Sequence, residues 1–269
     1  MRVTELGEGT PDVAVVGGIH GDEPCGPDAI DRFLSGDPDL ERPVKFVVAN
    51  EEALAAGVRY LDADLNRAFP GSPDAETHEG RLAHRLATEL RGCTVLSLHS
   101  TQSYAEPFAL CDTVDEVIRG VVPHLPVDVL IETDQFTDGR LIEHAHTVEV
   151  ECGLQGSQEA ADNGYWLIRA FLTATGALSP PGAEEPVRTD PGNGEGIRVF
   201  RLQEKLPKPP AEQYEVFARN FTRVQAGEEF AVADGSEAVA ERDFYPVLLS
   251  AYGYEDVFGY AATKVGTLG

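Results

Sequence analysis

The sequence predicts an α/β fold: a central sheet with helices packed against it, followed by a small β-rich domain. Three observations carry this. Val13–Val16, Pro43–Ala49 and Thr94–Leu98 are short apolar runs with the length and β-branched content of buried strands. Stretches of helical spacing alternate with them. After Gly176 the chain becomes turn-rich and shows no long helical period. The 269 residues, 42% hydrophobic, suffice for one α/β domain of about 170–200 residues plus an appendage, or for one large domain. We place the α/β domain at 1–178 and the β-rich module at 195–269.

Taken in order, Val13–Val16 is the first buried strand. Gly17 and Gly18 let the chain turn after it, and Pro24 opens a helix through Ser35 with Ile30, Phe33 and Leu34 on its apolar side. Pro43–Ala49 is a second strand, with Asn50 at the end that usually faces a site. Residues 59–71, RYLDADLNRAFPG, have neither period and read as a functional loop. Ser72 or Asp74 caps a helix through Arg91, carrying Leu82, Leu86 and Leu90. Thr94–Leu98 is a third strand, followed by His99. A helix over Val114–Val122, a strand over Val127–Ile131, a turn over Gly139–His144, a strand over Thr147–Glu151 broken by Gly153, and a helix over Gln158–Thr175 complete the first domain. Ser179–Gly182 and Asp190–Gly196 read as linker. Short β segments follow at Ile197–Leu202, Phe230–Ala233 and Val247–Leu249.

The bulk numbers exclude several function classes. Asp and Glu total 46 against 21 Lys and Arg, a net charge of −25 spread along the chain. That reads as a solvated acidic surface suited to high intracellular salt, with a cationic partner as the lesser alternative. No basic stripe exists for nucleic acid. No apolar run of about 18 residues exists for a membrane span, and the amino terminus lacks a signal-peptide core, so the expected location is the cytoplasm. Cys25, Cys93, Cys111 and Cys152 show no CxxC pair and read as buried thiols in a reducing compartment, with an approach of Cys25 or Cys152 to a metal as the lesser alternative.

The chemistry concentrates at predicted strand ends. His20 and Glu23 follow the first strand and His99 follows the third. Two imidazoles and a carboxylate suit a catalytic Zn²⁺, one per chain, which takes three protein ligands and keeps one position open. Glu151, at the end of another strand, is the candidate base, with Gly153 admitting a close backbone. Arg59 can stabilise an oxyanion because its charge persists at any working pH. Asn66 and Arg67 can bind a substrate carboxylate. Glu149 shares a strand face with Glu151 and reads as a supporting or exposed acid. Asp62 and Asp64 read as loop caps or arginine partners. His78 and His84 fall on a solvated helix face, His144 and His146 read as structural with support of the site as the lesser alternative, and the late tyrosines read mainly as packing, with one able to reach the pocket.

Together these motifs resemble the succinylglutamate desuccinylase/aspartoacylase family, relatives of the zinc carboxypeptidases. The carriers are GIHGDE at 18–23, RYLDADLNR at 59–67, LHST at 98–101 and ECGLQ at 151–155, collinear over residues 13 to 155. Residues 244–254, FYPVLLSAYGY, resemble the family's carboxy-terminal β module more loosely. The resemblance implies a carboxypeptidase-like mixed sheet and a zinc hydrolase that removes an acyl group from a small N-acyl amino acid. It assigns His20, Glu23 and His99 to the metal and Glu151 to general acid/base work. Arg59 falls to the scissile carbonyl, and Asn66 and Arg67 to the α-carboxylate. Arg140, with a one-residue offset, and Tyr254, or else Tyr252, fall near positions that recognise a second acidic group. A metallocarboxypeptidase acting on short peptides and a catalytically silent metal-site binding protein are the alternatives. The acyl group and the oligomeric state, including a homo-oligomer, stay open.

Overall fold

Ten strands form one mixed sheet, and its order explains where the site sits. The computed structural model describes residues 1–136, 139–143, 146–180 and 196–269. Strands β1 (Arg2–Leu6), β2 (Val13–Gly17), β3 (Val44–Val48), β4 (Thr94–Thr101), β5 (Phe108–Cys111), β6 (Val129–Glu132), β7 (Thr147–Leu154) and β8 (Ile197–Pro207) lie in the order β1-β3-β2-β4-β7-β5-β6-β8. The small strands β9 (Tyr214–Val216), β10 (Glu229–Ala233) and β11 (Ser236–Val239) make a separate antiparallel sheet. Then β12 (Tyr245–Val247) and β13 (Val257–Leu268) return to the large sheet, where β13 pairs with β8.

The middle of the sheet is parallel. β3, β2, β4 and β7 run the same way, so their carboxyl ends open on one edge. β5 is antiparallel to β7, and β6 runs parallel to both β5 and β8. The first and last strands of the β-rich tail are therefore hydrogen bonded into the main sheet. Phe108, Leu110, Val129 and Ile131 share one apolar cluster with Phe200, Leu202, Val247 and Leu248.

Helices cover both faces, because the central strands are apolar on both sides. Val13 and Val15 pack with Ile30 and Phe33 of α1 (Cys25–Ser35) and with Ile168 and Phe171 of α5 (Gln158–Ala174). Ala14 and Val16 pack on the other face with Leu82 and Leu86 of α3 (His78–Glu89). Two further short helices are α2 (Glu51–Ala56) and α4 (Glu116–Val121). No helix among the described residues is long and apolar enough to cross a membrane.

Several boundaries differ from the sequence reading. Helix α3 is capped by Thr77, whose Oγ1 accepts from Gly80 N, rather than by Ser72 or Asp74. Residues 72–77 form a turn instead, with Ser72 N donating to Gly80 O and Arg81 Nη1 donating to the carbonyls of Ala75 and Glu76. Gly153 does not end β7. It sits inside the strand at φ 136°, where the register with β4 shifts, and β7 runs on to Leu154. β1, α2, β5 and β13 are elements that periodicity alone did not mark. Most of the expected linker, and His144, lie outside the described residues.

Candidate metal and active site

The site begins where β2 ends. Gly18 takes φ 68°, a conformation open to glycine, and turns the chain. Gly21 lies against α2 so closely that a Cβ would stand 2.1 Å from the Ala53 carbonyl carbon. Its N–H donates to Arg59 O, tying the turn to the functional loop. These contacts hold His20 and Glu23 at the carboxyl edge of the sheet. β4 brings His99 there, and the parallel β4–β7 register sets His99 opposite Glu151.

His20, Glu23 and His99 converge. Each offers a ligand atom, and the three atoms lie within 4.8 Å of one another, all on buried residues. Glu23 sits between the imidazoles, accepting from His20 Nδ1 at 2.8 Å and His99 Nδ1 at 3.2 Å. Arg59 Nη1 and Ser100 N also donate to it. The outer ring nitrogens are held as well. His20 Nε2 donates to Asp64 Oδ1 at 3.1 Å, and His99 Nε2 lies 3.1 Å from Ser97 Oγ. Such outer partners orient a metal-binding imidazole. Two imidazoles and a carboxylate, buried and pre-oriented, fit a divalent cation of the zinc type.

The electrostatics agree. Burial works to lower the His20 imidazole, but the charge of Glu23 and the bonds to Asp64 and Glu23 outweigh it, lifting its pKa to about 9. Burial works to raise Glu23, but His20 and His99 hold it well below the carboxylate range. The carboxylates of Glu23 and Asp64 thus favour positive charge at the imidazoles, and a bound cation can supply that charge in place of protons. Glu151 moves the other way. Burial, and then the charge of Glu23, push its carboxyl up to about 7. Its Oε2 is buried with no hydrogen-bond partner among the described residues.

A narrow, polar cleft, part of it open to solvent, brings the sequence-marked residues together. His20, Glu23, Arg59, Asn66, Arg67, His99, Arg140, Glu149, Glu151 and Tyr254 all line it. Tyr252 does not; it is 63% exposed, and its hydroxyl accepts from Tyr214 N in the small sheet. Asp64 both caps the turn at Asn66 and pairs with Arg59, as loop chemistry suggested. Asn50 does not face the cleft. It caps α2, its Oδ1 accepting from Ala53 N, and donates to Glu79. The four cysteines are buried free thiols, and none lines the cleft.

Two residues carry more than their sequence positions suggested. Glu79 is fully buried and accepts from Asn50 Nδ2 and from the backbone N–H groups of Leu61, Asp62 and Ala63. It therefore fastens the loop that carries Arg59 and Asn66. Its signal was an acid on the same helix face as Leu82 and Leu86. Glu149, also buried, accepts from Arg140 Nη2 at 3.0 Å and from Asn66 Nδ2 at 3.3 Å.

Residues 9–122 match the family model of the succinylglutamate desuccinylase/aspartoacylase catalytic domain. A rat N-acyl-aromatic-L-amino acid amidohydrolase (carboxylate-forming) is 47% identical over 60 residues, 21% of this chain and 19% of that protein. The chain is thus matched over about a fifth of the rat enzyme's length. A succinylglutamate desuccinylase of Serratia proteamaculans is 25% identical over 268 residues, 84% of this chain and 78% of that protein. The fold is that of a succinylglutamate desuccinylase/aspartoacylase structure from Rhodobacter sphaeroides. Their TM-score is 0.75 at 18% identity, over 97% of this chain and 89% of the other.

Proposed function

We propose that the chain is a member of the succinylglutamate desuccinylase/aspartoacylase family, whose catalytic-domain model matches residues 9–122, and that it is a zinc-dependent amidohydrolase that cleaves the amide of a small N-acyl amino acid. One observation carries the reading. Two imidazoles and a carboxylate meet within 4.8 Å beside Glu151, whose carboxyl is pushed up to about 7 by burial and then by the charge of Glu23.

His20, Glu23 and His99 would hold the cation. When bound, it supplies Lewis acidity to the scissile carbonyl and acidifies the attacking water. The chain's own groups do the rest. Glu151 takes the proton from water and passes it to the leaving amine nitrogen. A carboxyl with a pKa near neutrality can work in both directions. Arg59 offers its guanidinium to the developing oxyanion. Burial opposes its charge, but Glu23 and Asp64 more than restore it, so the group stays cationic. Asn66 and Arg67 take the α-carboxylate. Arg67 lies at the exposed rim, with Nη1 donating to Asn66 O at 2.6 Å.

The test is hydrolysis by zinc-loaded protein of a panel of N-acyl amino acids set against dipeptides. We expect turnover of the former. Glu151→Gln should bind zinc as the wild type does and lose about 100-fold or more in kcat/KM. Near wild-type turnover by that variant would remove Glu151 from the role of base. Cleavage of dipeptides alone would favour a carboxypeptidase.

A further inference from the structure

The cleft presents three guanidinium groups, and two of them already pair with carboxylates, Arg140 through Nη2 while its buried Nε has no partner among the described residues. Arg59 donates to Glu23 at 3.2 Å and to Asp64 at 3.4 Å. Arg140 is buried and paired with Glu149, itself 1% exposed, at 3.0 Å. Arg67 is the arginine of the cleft with no carboxylate within ion-pair distance among the described residues. A substrate carboxylate brought to Arg140 would have to share it with Glu149. Two carboxylates on one buried guanidinium leave one negative charge uncompensated, and an uncompensated buried charge is costly. Asn66 reinforces the arrangement. It donates to Glu149 Oε1, while its own Oδ1 accepts from Leu141 N, so Glu149 is gripped from both sides.

We propose that Glu149 is a specificity-determining residue: by neutralising Arg140 it limits the site to N-acyl amino acids with a single carboxylate, the one held by Arg67. A second carboxylate, on the acyl group or on the amino-acid side chain, is rejected. Neutral isosteres are accepted, because an amide or alkyl group in that position adds no charge beside Glu149. The inference rests on the amide-hydrolase reading and names its substrate class.

Matched pairs test it on the zinc-loaded protein. N-acetyl-L-asparagine against N-acetyl-L-aspartate varies the side chain. N-butyryl-L-alanine against N-succinyl-L-alanine varies the acyl group. The expected result is a kcat/KM about ten-fold or more in favour of the neutral member of each pair. Glu149→Gln keeps the shape of the side chain and frees Arg140. It should shrink or reverse the ratio by about ten-fold, chiefly through KM for the acidic member, with zinc content unchanged. A wild-type preference for the acidic members overturns the proposal, and so does an identical ratio in Glu149→Gln. If that variant does not fold, the wild-type ratio decides. If no pair is hydrolysed at all, the amide-hydrolase reading fails instead. Calorimetric binding of the same pairs to zinc-loaded Glu151→Gln then applies the same two criteria here.

Discussion

Glu79 shows how one buried charge can shape a site it never touches. Its two oxygens accept four hydrogen bonds, three of them from consecutive backbone N–H groups at 61–63. Burial works to raise its pKa, but those donors outweigh it and hold the group below its ordinary 4.5. A carboxyl depressed by folding stabilises the fold above its unfolded pKa. That share is lost as pH falls through the folded value. Wild-type stability should therefore drop as pH falls below about 4.5, and Glu79→Gln should show a shallower drop. At neutral pH the variant should be about 1–3 kcal/mol less stable, since an amide cannot replace both acceptor oxygens. Denaturant titrations at pH 7, 5 and 3 read both effects. Equal acid sensitivity in the two proteins would count against the brace. His20, Glu23, His99 and Glu151 were legible in the sequence because strand ends and glycines flag them. Glu79 shares the buried face of Leu82 and Leu86, but that signal is weak, because a glutamate in the first turn of a helix ordinarily faces water.

Among the elements, the close packing of the β2–α1 turn on α2 sets the position of the first two candidate ligands. Gly21 has no space for a side chain; a Cβ would lie 2.1, 2.3 and 2.4 Å from backbone atoms of Ala53 and Leu54. Gly21→Ala should push the turn away from α2, cost about 1–3 kcal/mol of stability and weaken zinc binding. Unfolding with and without chelator, together with a zinc titration, measures the two losses separately. Wild-type zinc affinity in this variant would show that the turn does not position His20. Helix α2 escaped the sequence reading because six residues are too few for a period. Its caps were nonetheless present, as Asn50 before it and Gly57 in the left-handed conformation after it. Thr77 replaced the expected caps of α3 for a related reason. Every Ser, Thr or Asp in residues 72–77 is a plausible cap, and packing of the turn selects among them.

Across the whole molecule, a net charge of −25 on 269 residues means that acidic side chains repel one another over much of the surface. Salt shortens the reach of that repulsion. Raising NaCl from about 0.1 to 1 M should increase Tm, by about 2–4 °C for each kcal/mol of repulsion relieved. A flat or falling Tm would remove the charge as a burden on stability and favour a surface built around a cationic partner. The residue types of the site and the two-faced strands that carry them followed from the chain read locally, because strand alternation, helical period and glycine conformation are properties of neighbours in sequence. Three arrangements needed the packed chain: β7 beside β4, the 61–63 backbone on Glu79, and Glu149 on Arg140. So did the return of β8 and β13 to the main sheet. The strand pairings join segments far apart in sequence, while Arg140 and Glu149 stand nine residues apart, and in each case burial of the shared core selects the contact over the alternatives.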